Sequence, residues 1–275
     1  MPILTLTSDI GHKDFLVGAV KGHILQVNEG FHIVDISHEL TPFNYSQAAY
    51  VCRNAIRNFP DESFHMILMN LFHTKPEYLL LAKYGTQYIG IADNGLLTMI
   101  LEGLPEEVIG IPLDKTQNRN TLYCAKVLAQ VFTDLLSGQP MDRLGDPGHS
   151  IQVKNPLKPL LGNNYIEGQI IFIDHFENVI VNISREDFEE QRKGRSFKIV
   201  FKRDEVIDQI SETYADVNEG EKLALFNSAG YLEIAINKGN AAGLFGLQGY
   251  SEKSVSQSQY LQSRLYYQTV RVLFE

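Results

Sequence analysis

The residues best placed to do chemistry are carboxylates that directly follow predicted strands. Asp9 comes at the end of the predicted strand Ile3–Thr7, and Asp14 follows in the same loop. In open α/β sheets, ligands bind beyond the carboxyl ends of the strands. A carboxylate at that edge can accept hydrogen bonds from both hydroxyls of a ribose. The alternative is that these aspartates only cap the next helix, and the pattern alone leaves both interpretations open.

Four other polar segments follow or join predicted strands. Asp93-Asn94-Gly95 indicates a turn, with a weaker claim to a site, and Asp174–Asn178 lies between two strands. Asn227–Gly230 has the composition of an ordinary turn. Residues 237–242 offer backbone groups that can hold a flat ring. Each segment is as compatible with a plain turn as with a site, so none is specific by itself.

The elements that must position these residues change in character near residue 150. Residues 1–150 alternate between strand and helix patterns, which predicts a largely parallel sheet covered on both faces. The predicted strands are Ile3–Thr7, His32–Ile36, Phe64–Met69 and Tyr88–Ala92, and the predicted helices are Phe15–Val27, Tyr45–Asn58 and Leu122–Leu136.

Short strands at regular spacing follow a Pro- and Gly-marked linker at residues 151–164. They are Ile166–Ile173, Val179–Ile183, Phe197–Phe201, Lys222–Phe226, Tyr231–Ile236 and Thr269–Phe274. Ser251–Gln262 is predicted to be a polar loop. We therefore expect an α/β domain at 1–150 and a small all-β antiparallel barrel domain at 165–275.

Composition narrows the classes of function. A net charge of -9 argues against nonspecific nucleic-acid binding, and no apolar run approaches the roughly 20 residues that span a bilayer. The absence of a basic leader and the two cysteines, expected to be buried reduced thiols, indicate a cytoplasmic protein. The histidines lack the spacing of a zinc site, so no metal is expected. No phosphate-binding glycine loop and no G-x-S-x-G motif is present.

Six further segments are distinctive when taken together and cover nearly the whole chain. They are TSDIGxxD at 7–14, VGAVKG at 17–22, IVDISHE at 33–39, ADNGLLT at 92–98, IDxFxNxIxNI at 173–183 and NSxGYLEIAxN at 227–237. In sequence and in order, these segments resemble the S-adenosylmethionine (SAM) hydroxide adenosyltransferase family, to which the SAM-dependent halogenases are related.

The resemblance implies an α/β domain followed by a barrel, in a homotrimer whose sites lie between subunits. It implies SAM as the substrate or ligand, attacked at its 5′ carbon by water or halide, with no other cofactor. By resemblance, Asp9 binds the ribose, Asp14, Asp174 and Ser228 contact the methionine, Phe176 belongs to the same ligand site, and backbone near Asn237 and Lys238 meets the adenine.

Two positions depart from the pattern of the SAM hydrolases. Asn70 stands where their water-activating aspartate is expected, with no arginine in the segment that follows, and Tyr123 replaces their histidine. The tyrosine is similar to the halogenases, but the halogenase Y-P-x-T segment is missing. An amide cannot take a proton, so general-base help worth roughly 10²–10⁴-fold should be absent, although Asn70 could orient water as an acceptor. Whether His73 or Lys75 replaces the missing groups stays open.

The sequence therefore predicts a protein that binds SAM or a related adenosine compound, with weak or altered hydrolysis of SAM to adenosine and methionine. The main alternative is a non-catalytic nucleoside-binding or sensing protein that has kept the site and lost the chemistry. A third hypothesis is drift to another ligand.

Overall fold

The chain forms two compact units, residues Met1–Pro156 and Leu157–Glu275. The structure is a computed structural model and describes residues 1–202, 205–247 and 268–275. The predicted loop Ser251–Gln262 lies outside the described residues.

The first unit is built on a six-stranded sheet with the order β2-β1-β3-β5-β4-β6. Strands β1, β2, β3 and β5 pair in parallel, whereas β4 is antiparallel to both of its neighbours. The largely parallel sheet that was expected is confirmed. The strands are β1 (Ile3–Ser8), β2 (His32–Ser37), β3 (Phe64–Leu68), β4 (Tyr78–Tyr84), β5 (Gln87–Ala92) and β6 (Glu107–Pro112), and the helices are α1 (Leu16–Val27), α2 (Tyr45–Arg57), α3 (Leu96–Leu101) and α4 (Thr121–Leu136).

Helices cover both faces of this sheet. Helices α1 and α4 pack together on one face, and α2 and α3 pack together on the other. Every residue of the central strand β3 is consequently buried, which explains why its residues are apolar except for His65. The arrangement leaves the carboxyl ends of β1, β3 and β5 next to one another, because these strands are neighbours that run in the same direction.

The second unit is an antiparallel sheet with the order β11-β10-β14-β8-β9-β13-β12. The two end strands, β11 and β12, lie against each other, so the sheet curls into a nearly closed barrel around one apolar core. The predicted fold class is confirmed. The strands are β7 (Leu160–Leu161), β8 (Tyr165–Ile173), β9 (Val179–Ser184), β10 (Phe197–Lys202), β11 (Glu205–Ile207), β12 (Lys222–Phe226), β13 (Tyr231–Ile236) and β14 (Thr269–Phe274), and the helices are α5 (Arg185–Arg192) and α6 (Ala241–Leu244).

Strands β4, β6, β7 and β11 and helices α3, α5 and α6 were not predicted from the sequence. Strand β6 contains Gly110 and ends at Pro112, two residue types that are depleted in strands. Gly110 is required because a Cβ there would lie 2.6 Å from Cγ of His149. Packing against a distant histidine, which local sequence does not show, thus overrides the local strand preference.

Both cysteines, Cys52 and Cys124, are free and buried. Burial raises the pKa of Cys52 to about 12 and that of Cys124 to about 11, so both stay protonated thiols at neutral pH. Within the described parts of the chain, no helix has the length and apolar character needed to cross a membrane.

Candidate functional site

Asp9 and Asn70 meet at the edge of the first sheet. Strands β1 and β3 pair in parallel up to Ser8 and Leu68, so the loops that follow them leave the sheet side by side. The backbone N–H of Asn70 donates to Oδ2 of Asp9 at 3.0 Å. Burial raises the pKa of Asp9, and the backbone hydrogen bond from Asn70 opposes that rise. The half-buried carboxylate keeps lone pairs for further hydrogen bonds, and its assignment to a ribose stays a prediction.

The Asn70 side chain is oriented by Phe43. The backbone N–H of Phe43 donates to Oδ1 of Asn70 at 2.8 Å, which fixes the amide with its oxygen toward Phe43 and its Nδ2 group away from it. Both residues have left-handed backbones, with φ of 62° at Phe43 and 49° at Asn70. Such values are unusual for a bulky residue and cluster at functional sites. Among the described residues the unpartnered group of Asn70 is therefore its Nδ2 donor, whereas the oxygen expected to orient water already accepts one hydrogen bond.

A chain of polar contacts, which runs from buried side chains to partly exposed ones, supports the Asp9 loop. Oγ of Ser8 lies 2.6 Å from Nδ1 of His38, whose Nε2 lies 3.2 Å from Oδ1 of Asp35. Lys21 completes the chain by donating to Asp35 at 2.5 Å. This is a Ser–His–Asp series, but Ser8 is fully buried, so its hydroxyl cannot reach a substrate. Burial lowers the pKa of His38, and the neutral ring is a fixed support for the loop.

A cleft of about 190 Å³ opens beside Asn70 and is bordered by the loop that follows β3. His73 and Lys75 line the cleft and are exposed. The loop is held by Arg119, which donates from Nη1 to the carbonyl of Pro76 at 2.5 Å. The resemblance calls for an arginine within this loop. In the structure the arginine that contacts this loop is Arg119, which lies 43 residues after Pro76. The order of residues in the sequence could not show this contact.

Asp93-Asn94-Gly95 forms the turn that was expected and anchors two neighbouring segments. Asn94 is buried and donates to the carbonyl of Met69 at 2.9 Å, next to Asn70. Oδ2 of Asp93 lies 2.9 Å from Nε2 of His149, and Oδ1 accepts from the backbone of Gln152 at 2.8 Å. The Asp93 carboxylate is thus occupied by structural contacts, although it borders the cleft.

Tyr123 and Asp14 occupy separate places in the first unit. The hydroxyl of Tyr123 accepts from the backbone N–H of Asp114 at 3.0 Å. Asp14 is exposed and accepts from the backbone N–H of Leu16 at 2.8 Å, at the start of α1. No hydrogen bond among the described residues joins either side chain to Asp9 or Asn70. Their assignments to catalysis and to methionine binding stay predictions.

In the second unit, Asp174 organises the loop between β8 and β9. Its Oδ1 accepts from the backbone N–H groups of Phe176 at 2.9 Å and Asn178 at 2.8 Å, and its Oδ2 accepts from Nδ2 of Asn178 at 3.0 Å. The ring of Phe176 is 72% exposed, so a large apolar group stands at the tip of this loop. Such exposure of an aromatic ring is compatible with a contact to a ligand or a partner.

The turn with Ser228 is bound to that loop through a buried carboxylate. Asn227 shapes the turn by accepting from the backbone of Ala229 at 3.0 Å, and Ser228 is exposed at its tip. Glu233 has only 3% of its surface exposed, and hydrogen bonding from the side chains of Asn227 and Asn178 lowers its pKa against the rise that burial causes. Glu233 therefore lies close to both loops that carry Asp174 and Ser228. The sequence motif contained this glutamate, but gave no sign of its role.

The segment predicted to meet adenine is held by its own backbone. The N–H of Asn237 donates to the carbonyl of Glu221 at 3.0 Å, and its carbonyl accepts from Gly220 at 2.8 Å. Lys238 is exposed, has a φ of 56°, and pairs with Glu219 at 2.9 Å. The Asn237 backbone is engaged within the chain, and its contact with adenine stays a prediction.

Across the described residues, no group of three or more His, Cys, Asp or Glu side chains is arranged to hold a metal ion. The candidate residues of the first unit are single carboxylates, amides and hydroxyls at the edge of its parallel sheet, and those of the second unit lie on the loops of its barrel. An α/β unit followed by a small antiparallel barrel unit, each with polar loops at strand ends, is the class of protein that this fold defines.

Comparisons with known proteins name the family. Residues 4–145 match the SAM hydroxide adenosyltransferase N-terminal domain, and residues 168–252 match the SAM hydroxide adenosyltransferase C-terminal domain. The chain belongs to the SAM hydroxide adenosyltransferase family, which confirms the resemblance.

Curated relatives carry two kinds of name. The chain is 27% identical over 245 residues to an (R)-S-adenosyl-L-methionine hydrolase of Methanocaldococcus jannaschii, covering 86% of this chain and 88% of the relative. It is also 27% identical over 271 residues to a fluorinase of an Actinoplanes species, covering 86% and 91%. A solved structure from Thermotoga maritima, described as an uncharacterized conserved protein, has a TM-score of 0.80 at 26% identity and covers 98% of this chain and 99% of its own.

Proposed function

We propose that this protein binds SAM or a related adenosine compound at the loops following β1 and β3, and that it hydrolyses SAM only weakly or in altered form. In the intact reaction, water attacks the 5′ carbon of SAM, the bond from that carbon to sulfur breaks, and adenosine, methionine and a proton are released. The family match and the position of Asp9 support the binding part of the proposal.

The orientation of Asn70 carries the second part. A water molecule that attacks carbon must lose a proton to a base. Asn70 is an amide and cannot take that proton, and its oxygen already accepts from the backbone N–H of Phe43 at 2.8 Å. Tyr123 uses its hydroxyl oxygen to accept from Asp114. Positioning and removal of bulk water still favour reaction at a sulfonium, which is an intrinsically good leaving group, so slow turnover is compatible with this site.

The second candidate is a nucleoside-binding or sensing protein without catalysis. It is favoured by the same orientation of Asn70, because a donor can hold a ligand atom although it cannot accept a proton. In that case the protein would bind its ligand reversibly and leave it unchanged.

One experiment separates these functions. Purified protein is incubated with SAM, and adenosine and methionine are measured by chromatography over hours, beside a sample without protein. Slow release above the blank supports weak hydrolysis, and a stable complex that returns intact SAM supports the sensing protein. No binding of SAM or adenosine by calorimetry would refute both.

We also propose a homotrimer with composite sites, because the ligand-facing motifs are divided between residues 7–14 and 174–240. The family resemblance supports this assembly. Light scattering at micromolar concentration is expected to give three times the chain mass of 31.1 kDa. A monomer would argue against a shared site.

A further inference from the structure

Glu233 is a buried carboxylate on the side of β13 that faces away from the barrel core. Its neighbours Leu232 and Ile234 belong to that core, and successive side chains of a strand point to opposite faces. Glu233 nevertheless has only 3% of its surface exposed, and the hydroxyl of Tyr214 donates to its Oε1 at 2.6 Å. A buried carboxylate is costly unless it is hydrogen-bonded, so the groups around Glu233 indicate its role.

The strand register places Glu233 between two loops of the barrel. Glu233 pairs with Ile180 on β9 and with Leu225 on β12. Asn178 comes two residues before Ile180, and Asn227 comes two residues after Leu225. Because residues two apart along a strand share a face, both asparagines are expected on the Glu233 side of the sheet. In agreement with this placement, burial raises the pKa of Glu233, and hydrogen bonding from both asparagine side chains lowers it.

The groups that meet Glu233 are donors. Oδ1 of Asn227 already accepts from two backbone N–H groups of its own turn, at 3.0 and 3.2 Å, so its amino group is left for the acid. Nδ2 of Asn178 donates to Oδ2 of Asp174 at 3.0 Å and has a second hydrogen. With the hydroxyl of Tyr214, three donors converge on one side chain. A carboxylate only accepts, whereas a glutamine would turn an amino group toward these donors.

The two loops beside Glu233 present complementary groups to solvent. Oδ1 of Asp174 accepts from two backbone N–H groups, whereas Oδ2 accepts only from Asn178 among the described residues, so a lone pair stays available for a cation. Ser228 is exposed at the tip of the other loop and carries a hydroxyl donor. A carboxylate and a hydroxyl match the ammonium and the carboxylate of an amino acid.

We propose that Glu233 and Tyr214 are positioning residues that hold these two loops in the geometry that binds the amino-acid end of an adenosyl ligand. This inference rests on the proposed function, in which residues 174–240 face the ligand. Glu233 is buried and acts through the two asparagines, not by touching the ligand. Loss of its carboxylate should therefore weaken the hold on the amino-acid end and leave the hold of Asp9 on the nucleoside end unchanged.

Calorimetry with S-adenosylhomocysteine and 5′-methylthioadenosine tests this role. Both ligands are neutral thioethers, and only the first carries an amino acid. We expect the unmodified protein to bind S-adenosylhomocysteine at least roughly tenfold more tightly. Glu233→Gln should reduce this preference severalfold without changing the dissociation constant for 5′-methylthioadenosine. Tyr214→Phe should reduce the preference less, because water can replace the hydroxyl of a partly exposed ring. Glu212→Gln, at an exposed position two residues before Tyr214, should not change it.

The ratio of the two dissociation constants separates positioning from a purely structural role. A structural role would lower the folded fraction and weaken both ligands by the same factor, so an unchanged ratio in Glu233→Gln would overturn the inference. If that variant fails to fold, an unchanged ratio in Tyr214→Phe decides in the same way. Equal affinities in the unmodified protein would also overturn it and leave nucleoside binding intact. Failure of the protein to bind either ligand, with a native circular-dichroism spectrum, would overturn the proposed function itself.

Discussion

The hydroxyl of Tyr214 donates to Oε1 of Glu233 at 2.6 Å. Glu233 is buried on β13, and Tyr214 comes from a short 3-10 helix, Tyr214–Asp216, with 43% of its surface exposed. Burial raises the pKa of Glu233, and the hydrogen bond from Tyr214 opposes that rise. A partly exposed tyrosine thus supports the buried carboxylate that lies close to the Asp174 and Ser228 loops.

Tyr214→Phe should lower the free energy of unfolding by about 1 kcal/mol. This loss is smaller than for a fully buried hydrogen bond to a charged group, because water competes for the bond at this partly exposed ring. The loss should be larger at pH 8 than at pH 5. A carboxyl whose folded pKa is raised is progressively protonated as the pH falls through that pKa, and the hydrogen bond to it then weakens. Urea unfolding at the two pH values measures the effect.

Glu233→Gln provides the control for that prediction. In a Glu233→Gln background, Tyr214→Phe should cost the same at both pH values, because the titrating carboxyl is gone. A pH-dependent cost that persists in this background would assign the effect to another group.

Asp9→Ala should weaken adenosine binding by about 1–3 kcal/mol, the cost of losing a buried acceptor for the ribose. Asp9→Asn should cost less, because one oxygen remains to accept from the backbone of Asn70. Calorimetry measures both, with Asp142→Ala at an exposed position as the control. Equal affinity in Asp9→Ala would remove Asp9 from the ribose site.

The double variant Asn70→Asp with Tyr123→His should increase the release of adenosine from SAM. The carboxylate restores a proton acceptor, which contributes roughly 10²–10⁴-fold in sites that are complete. The gain in rate should be smaller in this protein, because Arg119 already donates to the backbone carbonyl of Pro76 and is not an arginine within the loop itself. Chromatography of the products measures the rate. Brisk release by the unmodified protein that Asn70→Ala leaves unchanged would place the reacting centre elsewhere, with His73 as the next residue to test.

Stability should fall in mild acid because of His65. This histidine is 1% exposed on β3, and burial lowers its pKa to about 4. Between about pH 6.5 and pH 4 the unfolded chain binds the proton and the folded chain does not, so stability is present above that window and is lost as the pH falls through it. The loss from this residue amounts to about 3 kcal/mol.

His65→Gln should flatten this acid dependence even if it lowers stability overall, because glutamine does not titrate. Unfolding in urea at pH 7.5 and pH 4.5 measures the slope. His32→Gln, at an exposed position on β2, should keep the original slope. An unchanged slope in His65→Gln would mean that another group causes the acid sensitivity. His38 would be the next residue to test, because burial also lowers its pKa.

The parallel core was predictable because its strands are mainly apolar, as Phe64–Leu68 shows with His65 as its one polar residue. The approach of Asp9 to the loop after β3 also follows from the sequence, once β1 and β3 are neighbours. The hydrogen-bonding roles of the side chains in the candidate site could not be predicted from the sequence. The donor character of Asn70 depends on Phe43, which lies 27 residues earlier in the chain and has a left-handed backbone that its residue type disfavours. The approach of Arg119 to Pro76 likewise depends on tertiary packing.

The position of Asn94 has a consequence for the chemical ageing of the protein. Asn-Gly is the sequence at which flexible chains most readily deamidate, by attack of the glycine nitrogen on the asparagine side chain, and Asn94-Gly95 is the only such pair in this chain. In the folded protein the Asn94 amide is buried and held at both ends, by the carbonyl of Met69 and the N–H of Leu96. The native fold therefore protects Asn94-Gly95, the pair most prone to deamidation, from this reaction. Deamidation of Asn94 to aspartate would put a negative charge against the Met69 carbonyl, beside Asn70. The first structural effect of deamidation is therefore expected at the candidate site.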